Sequence, residues 1–129
     1  MSAKRDLLDY LTDIVEAIDA AQLFVAEMDI VTFRADRRTI YAVTHALEIV
    51  GEATKRIPAL VRESYPAIPW RLMAGMRDRL AHGYDTVDPD VLWRTVMDDL
   101  PMTRSLMGEM LRQERAAVGE SSHPQPSTP

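Results

Sequence analysis

Residues 4–27, KRDLLDYLTDIVEAIDAAQLFVAE, are the stretch that decides the fold class. Apolar residues recur there at every third or fourth position, namely at Leu7, Leu11, Ile14, Ile18, Ala21 and Val25. This period is typical of a long amphipathic helix that buries one face. The stretch therefore predicts a first helix over residues 4–27.

The same periodicity returns twice further along the chain. Residues 37–56 form a second amphipathic segment, which Pro58 ends, and the dipeptide Asp88-Pro89 is an N-cap followed by a first-turn proline that opens a last long helix. Within that last helix, Pro101 predicts a kink.

Two shorter helical segments lie between the long ones. Residues 59–65 can form a short helix, and Pro69 is placed to open another over residues 70–81, before Gly83. No segment alternates with the period of a strand. The sequence therefore predicts an all-α fold, an antiparallel helical bundle of about four to five helices.

Length and composition bound the organisation and exclude several classes. The 129 residues suit one domain, which we place at residues 1–116, and the polar, proline-rich residues 117–129 are expected to form a flexible tail. The absence of cysteine excludes disulfides and thiolate zinc sites. No signal peptide or membrane span is recognisable, so a cytoplasmic protein without membrane contact is the expectation.

The charge is unevenly distributed along the chain. The net charge is −5 overall, but residues 34–82 carry 9 basic and 5 acidic groups, a local net charge of +4. A basic region on an acidic protein suits an anionic ligand that is gripped at one place. The alternative is that these charges only solvate helix surfaces.

The run Arg77-Asp78-Arg79-Leu80-Ala81-His82-Gly83-Tyr84 concentrates the candidate chemistry. His82 is either a general acid or base near neutral pH or only a favourable cation at a helix end. Arg77 can hold a phosphate, but five helical residues place it about 140° from His82. Arg79 is closer in phase and competes for the phosphate-binding role. An unwound helix end or a second subunit would bring Arg77 and His82 together.

Three other residues, Asp78, Glu52 and Tyr84, each have a functional and a purely structural interpretation. Asp78 can orient the arginine or the imidazole, or be an ordinary surface acid. Glu52, which follows Gly51 in the second long helix, is either solvated or the partner of an arginine. Tyr84 is either a packing aromatic or an accessible hydroxyl. No metal-ligand spacing or glycine-rich phosphate loop is present in the sequence, so neither a metal nor another cofactor is predicted.

The chain resembles the HEPN superfamily, specifically the HepT-like ribonuclease toxins. The resemblance covers residues 4–112 and rests on an ordered series of segments: Leu-Leu-x-x-Leu-x-x-Ile at 7–14, Leu-Glu-Ile-Val-Gly-Glu-Ala at 47–53, Pro-Ala-Ile-Pro-Trp at 66–70, the run at 76–84, and the Val-Leu-Trp and Asp-Leu-Pro triplets at 91–93 and 99–101.

This resemblance implies a two-fold dimer in which Arg77 and His82 line a shared cleft. It implies a metal-independent endoribonuclease, the toxin of a bacterial type II-like toxin–antitoxin pair, with Arg77 on the phosphate of the RNA substrate and His82 transferring protons. Asp78 would stand at the polar position after the arginine, although family members more often have Asn there. From the residues themselves, Arg79 and Glu52 are also expected to be supporting residues.

The implied partner is a nucleotidyltransferase antitoxin that adenylylates Tyr84, in a hetero-oligomer larger than the dimer if the two proteins stay bound. Two rivals remain at this stage. One is a non-catalytic HEPN binding module that presents a substrate or regulates a nucleotidyltransferase, and the other is a purely structural helical dimer.

Overall fold

The structure is a computed structural model that describes residues 3–76, 78 and 87–122. Every regular element in these ranges is helical, which confirms the predicted all-α bundle. The elements are α1 (Ala3–Phe24), α2 (Ile30–Ala35), α3 (Arg37–Arg56), α4 (Ala59–Glu63), α5 (Trp70–Ala74), α6 (Pro89–Arg94), a π-helical turn (Thr95–Asp99) and α7 (Leu100–Ser122).

The core lies between the three long helices α1, α3 and α7. The α1 stripe predicted from the sequence is buried over its whole length, from Leu7 to Val25. Arg104 of α7 hydrogen-bonds to Asp19 of α1 at 2.6 Å, and Arg115 reaches Thr12 at 3.3 Å. Residues later in α7 thus contact residues earlier in α1, so these two helices run antiparallel.

Side-chain caps fix where several helices begin. Asp29 accepts a hydrogen bond from the backbone N–H of Thr32 and so caps α2, while Asp36 caps α3 through the backbone N–H of Thr39. Asp88 accepts from the N–H of Asp90 and Pro89 follows in the first turn of α6, as the sequence predicts. The caps satisfy backbone donors that a helix start leaves unpaired.

The last helical run contains an irregularity immediately before Pro101. Residues 95–99 form a π-helical turn, in which the N–H of Leu100 donates to the carbonyl of Thr95. A proline ring clashes with the carbonyl four residues earlier in a regular α-helix, and the wider π turn changes that geometry. The expected disturbance at Pro101 therefore takes the form of a π turn.

The segment that leads into the 77–84 run is docked firmly. Pro69 is the N-cap of α5 and not its first helical residue. The helix predicted over residues 70–81 is interrupted by a turn at Gly75, after α5 ends at Ala74, and Met76 and Asp78 are helical again. The Trp70 indole N–H donates to the carbonyls of Arg62 and Tyr65, both at 3.0 Å. Met73 and Met76 are almost completely buried, at 0 and 2% exposure.

The C-terminal end of the bundle extends beyond the predicted domain boundary. Helix α7 continues to Ser122, so the boundary placed at residues 116 and 117 falls within a helix. Residues 123–129, the remainder of the predicted tail, lie outside the described residues. Among the helices that the structure describes, none is both long enough and apolar enough to span a bilayer.

Candidate functional site

Asp78 marks where the 77–84 run begins in the fold. Its carboxylate is 73% exposed and lies 3.7 Å from the ammonium group of Lys55, at the C-terminal end of α3. An exposed pair at this distance contributes little to stability. The contact between Asp78 and Lys55 nevertheless shows that the run starts beside the last turn of α3.

The described residues that flank the run are both attached to the core. Met76 is buried on its N-terminal side, and Val87 packs against the core on its C-terminal side. The other predicted site residues, Arg77, Arg79, His82 and Tyr84, lie outside the described residues. Their roles and their mutual geometry therefore stay predictions.

Glu52 lies in a groove between α1 and α3. The half-buried Glu52 lines this groove, which has a volume of about 310 Å³ and also involves Tyr10 and Asp13 of α1 and His45 and Arg56 of α3. Glu52 thus has neighbours of both charges, in an environment intermediate between the solvated and the buried positions that the sequence left open. Its supporting role towards the residues of the run stays a prediction.

Basic residues are in excess in the segment of chain that leads to the run. Residues 53–76 include four basic side chains, those of Lys55, Arg56, Arg62 and Arg71, and one acidic side chain, that of Glu63. The local net charge of +3 contrasts with −5 for the whole chain. Such a concentration of positive charge attracts a polyanion to this segment.

The connection that supports Trp70 is tied to α7. Burial raises the pKa of Tyr65, and the Glu114 carboxylate raises it further through its charge and a hydrogen bond. The phenol therefore stays protonated at neutral pH and can donate to Glu114. This contact holds residues 64–69 against α7, and the Tyr65 carbonyl in turn accepts from Trp70.

Two features of this part of the chain were not predicted from the sequence. One is the contribution of Lys55, which lies 23 positions from Asp78, and the other is the pairing of Arg62 with Trp70 through its carbonyl. The basic block over residues 34–82 was the only available signal, and it does not distinguish these residues from the others. In the described part of the chain, no three His, Asp or Glu side chains are grouped as a metal site would need.

Comparisons with known proteins agree on one family. The family model described as ribonuclease HepT-like matches residues 14–110. A protein of Thermococcus cleftensis named "Probable ribonuclease HepT" is 50% identical over 98 residues, which cover 76% of this chain and 89% of the relative.

A second relative, a "Putative RNase" of Methanocaldococcus jannaschii, is 42% identical over 98 residues, which cover 76% of this chain and 84% of the relative. No solved structure matches the chain.

Proposed function

This chain belongs to the ribonuclease HepT-like family, and we propose that it is a metal-independent endoribonuclease that cleaves cellular RNA, with tRNA and mRNA as the candidate targets. The observation that carries the proposal is the intact Arg77, His82 and Tyr84 constellation in a chain of this family. The names of the two relatives support it. The basic excess of residues 53–76, which precede the constellation, supports an anionic substrate.

The chemistry available to these groups is an internal transesterification. The 2′-oxygen of the RNA attacks the adjacent phosphorus, the P–O2′ bond forms and the P–O5′ bond breaks. His82 moves the proton released by the 2′-hydroxyl or supplies the one that the departing 5′-oxygen needs. Help of this kind accelerates a reaction by roughly 10²–10⁴-fold.

Arg77 would stabilise the charge that builds on the phosphoryl oxygens, without a metal ion. Arg79 remains the alternative for this role. The products are a 2′,3′-cyclic phosphate and a 5′-hydroxyl, and a strand that lacks the 2′-hydroxyl cannot react.

The functional unit in this proposal is a two-fold dimer. On a regular helix, Arg77 and His82 would diverge by about 140°, and a single bundle would then aim them at different places. A two-fold axis beside the run brings both copies into one cleft. Met76 and Val87, the described residues on either side of the run, both pack against the core.

The proposed biological setting is a toxin–antitoxin pair in the cytoplasm. A nucleotidyltransferase antitoxin would transfer adenylate from ATP to the Tyr84 hydroxyl, with release of pyrophosphate. The added phosphodiester would compete with RNA for the arginine, and the nucleoside would obstruct the cleft. Binding of the antitoxin alone is a second way to neutralise the enzyme.

The direct test is RNA cleavage by purified protein carrying His82→Ala or Arg77→Ala. Both variants should lose cleavage and growth inhibition while keeping the helical circular dichroism of the unmodified protein. The Arg38→Ala variant, which changes an exposed arginine at the opposite end of α3, is the matched control and should cleave normally. Full cleavage by highly purified His82→Ala protein would contradict the mechanism and favour the non-catalytic HEPN module.

A further inference from the structure

A second basic feature lies on the N-terminal side of the 77–84 run. Helices α4 and α5 border an open cleft of about 550 Å³, lined by Ala59, Arg62, Glu63, Trp70, Arg71 and Ala74. We call it the Arg62–Arg71 cleft. Two guanidinium groups and one carboxylate line it, so the cleft has a net positive charge.

The two arginines have no acidic partner among the described ion pairs. Arg62 is half-buried, and its Nε–H is shielded from water without a hydrogen-bond partner in the described part of the chain. Arg71 is exposed and belongs to no described salt bridge. A shielded guanidinium N–H without an acceptor is unfavourable, so a side-chain movement that brings it to an anionic oxygen is favoured.

The surroundings of the cleft are fixed. The two hydrogen bonds of the Trp70 indole N–H fix the position of its ring, and Tyr65 ties the connection between α4 and α5 to α7 through Glu114. Trp70 is only partly buried, so part of its ring is available to a ligand. Aromatic faces combined with arginines are a common way to hold single-stranded nucleic acid.

The cleft also lies within reach of the same RNA strand. Asp78 follows Arg71 by seven positions, with the turn at Gly75 between them, so their Cα atoms are at most about 25 Å apart. An RNA strand bound at the run therefore lies within about this distance of the cleft.

We propose that the Arg62–Arg71 cleft binds one backbone phosphate of the RNA substrate, at a nucleotide outside the bond that is cleaved. Arg62 and Arg71 hold the phosphate and the exposed part of Trp70 contacts the sugar or base next to it. Glu63 weakens the attraction by its negative charge. The inference rests on the proposed ribonuclease function, because it identifies the substrate as the occupant, but it assigns these residues to binding and not to the reaction.

The test measures binding of a single-stranded, mixed-sequence RNA to protein that carries His82→Ala and leaves the RNA intact. In a series of such RNAs, each phosphate in turn is replaced by a neutral methylphosphonate. Two positions should matter, the cleaved phosphate and a second one. Adding Arg71→Ala should weaken binding roughly tenfold and make binding indifferent to the second replacement, which is the double-mutant-cycle signature of a direct contact.

Three further variants sharpen the result. Arg62→Ala should reproduce the effect, and Glu63→Gln should strengthen binding, which is the opposite sign. Arg38→Ala removes the same charge about 25 Å away along α3 and should leave the pattern unchanged. The slope of log K against log salt should fall in magnitude by about 0.7 for each phosphate that a variant no longer binds.

Several outcomes overturn the inference. If Arg71→Ala alters only the effect of replacing the cleaved phosphate, the cleft is part of the catalytic site. If Arg71→Ala leaves the affinity for RNA unchanged, the cleft does not contact the RNA. If ATP at equal phosphate concentration displaces the Arg71-dependent binding as well as RNA does, the cleft is a free-nucleotide site.

The unmodified protein separates this inference from the proposed function. Cleavage of RNA without an Arg71-dependent phosphate position would leave the function standing and refute the cleft. RNA binding that depends on Arg71 at one phosphate, in a protein that cleaves no RNA, would support the cleft and refute the ribonuclease function.

Discussion

Replacing Met76 by alanine tests whether the 77–84 run is anchored by the core. Met76 is 2% exposed and immediately precedes Arg77. The change removes three buried heavy atoms, worth about 2.4 kcal/mol at about 0.8 kcal/mol for each methylene-sized group. Incomplete collapse of the cavity adds to this loss, and buried Met→Ala changes range over about 2–5 kcal/mol. We therefore expect the free energy of unfolding to fall by about 3 kcal/mol.

The assay is urea-induced unfolding followed by far-UV circular dichroism at one protomer concentration. An entropy of unfolding of about 2.1 cal/mol/K per residue converts the loss into a melting temperature lower by roughly 10 °C for this chain length. The control is Met102→Ala, at a methionine that is 71% exposed, which should change stability by less than about 0.5 kcal/mol.

The same variant also tests the link to function. At a temperature where the protein stays folded, Met76→Ala should lower the cleavage rate, because Arg77 is the next residue and loses its fixed neighbour. A loss of less than about 1 kcal/mol, or an equal loss in Met102→Ala, would refute the anchoring. Unchanged cleavage in a clearly destabilised Met76→Ala protein would show that the anchor serves stability only.

The remaining predictions concern assembly, control and acid stability. Mixing inactive Arg77→Ala and His82→Ala proteins should restore part of the cleavage through mixed dimers, and a fully active monomer would contradict the shared cleft. Incubation with a nucleotidyltransferase partner, ATP and Mg²⁺ should add adenylate mass and silence cleavage, but should do neither in Tyr84→Phe; an adenylylated and silenced Phe variant would exclude Tyr84. Hydrogen bonding to Arg112 lowers the pKa of Glu109 from its ordinary 4.5 to about 2, and hydrogen bonding to Arg34 lowers that of Asp90. Because the folded state favours the ionised form of these carboxyls, they stabilise the fold fully at pH values above their pKa in the unfolded chain. This stabilisation is lost as the pH falls towards their lower pKa values in the folded protein. The urea midpoint should therefore drop on acidification, and it should drop less in Glu109→Gln.

Helix boundaries were predictable where local chemistry determines them. The predicted second long helix, residues 37–56, matches α3 (Arg37–Arg56), because the Asp36 cap and Pro58 act within a few residues of the helix ends. The buried stripe of α1 was also visible, since a period of three to four apolar residues reports which face is buried. Both tryptophans, Trp70 and Trp93, pack against the core, and the ring centroids of Trp93 and Phe33 lie 5.3 Å apart.

Other features needed more than local information. Pro101 signalled a disturbance, but whether it takes the form of a bend or a π turn depends on how residues 95–99 pack. The helix predicted over residues 70–81 is interrupted after α5 because Gly75 forms a turn, a local weakness that the apolar pattern masked.

The sequence by itself determined the helical class, the capped starts of the helices and the residues that can perform chemistry, because each of these depends on neighbours a few positions away. Only the tertiary structure decided which distant groups meet: Lys55 beside Asp78, Tyr10 and Asp13 beside Glu52, and the approach of α4 to α5 that forms the Arg62–Arg71 cleft. Those meetings depend on how whole helices dock, and docking is set by the shapes of buried faces summed over many side chains, which no local pattern of charge or hydrophobicity encodes.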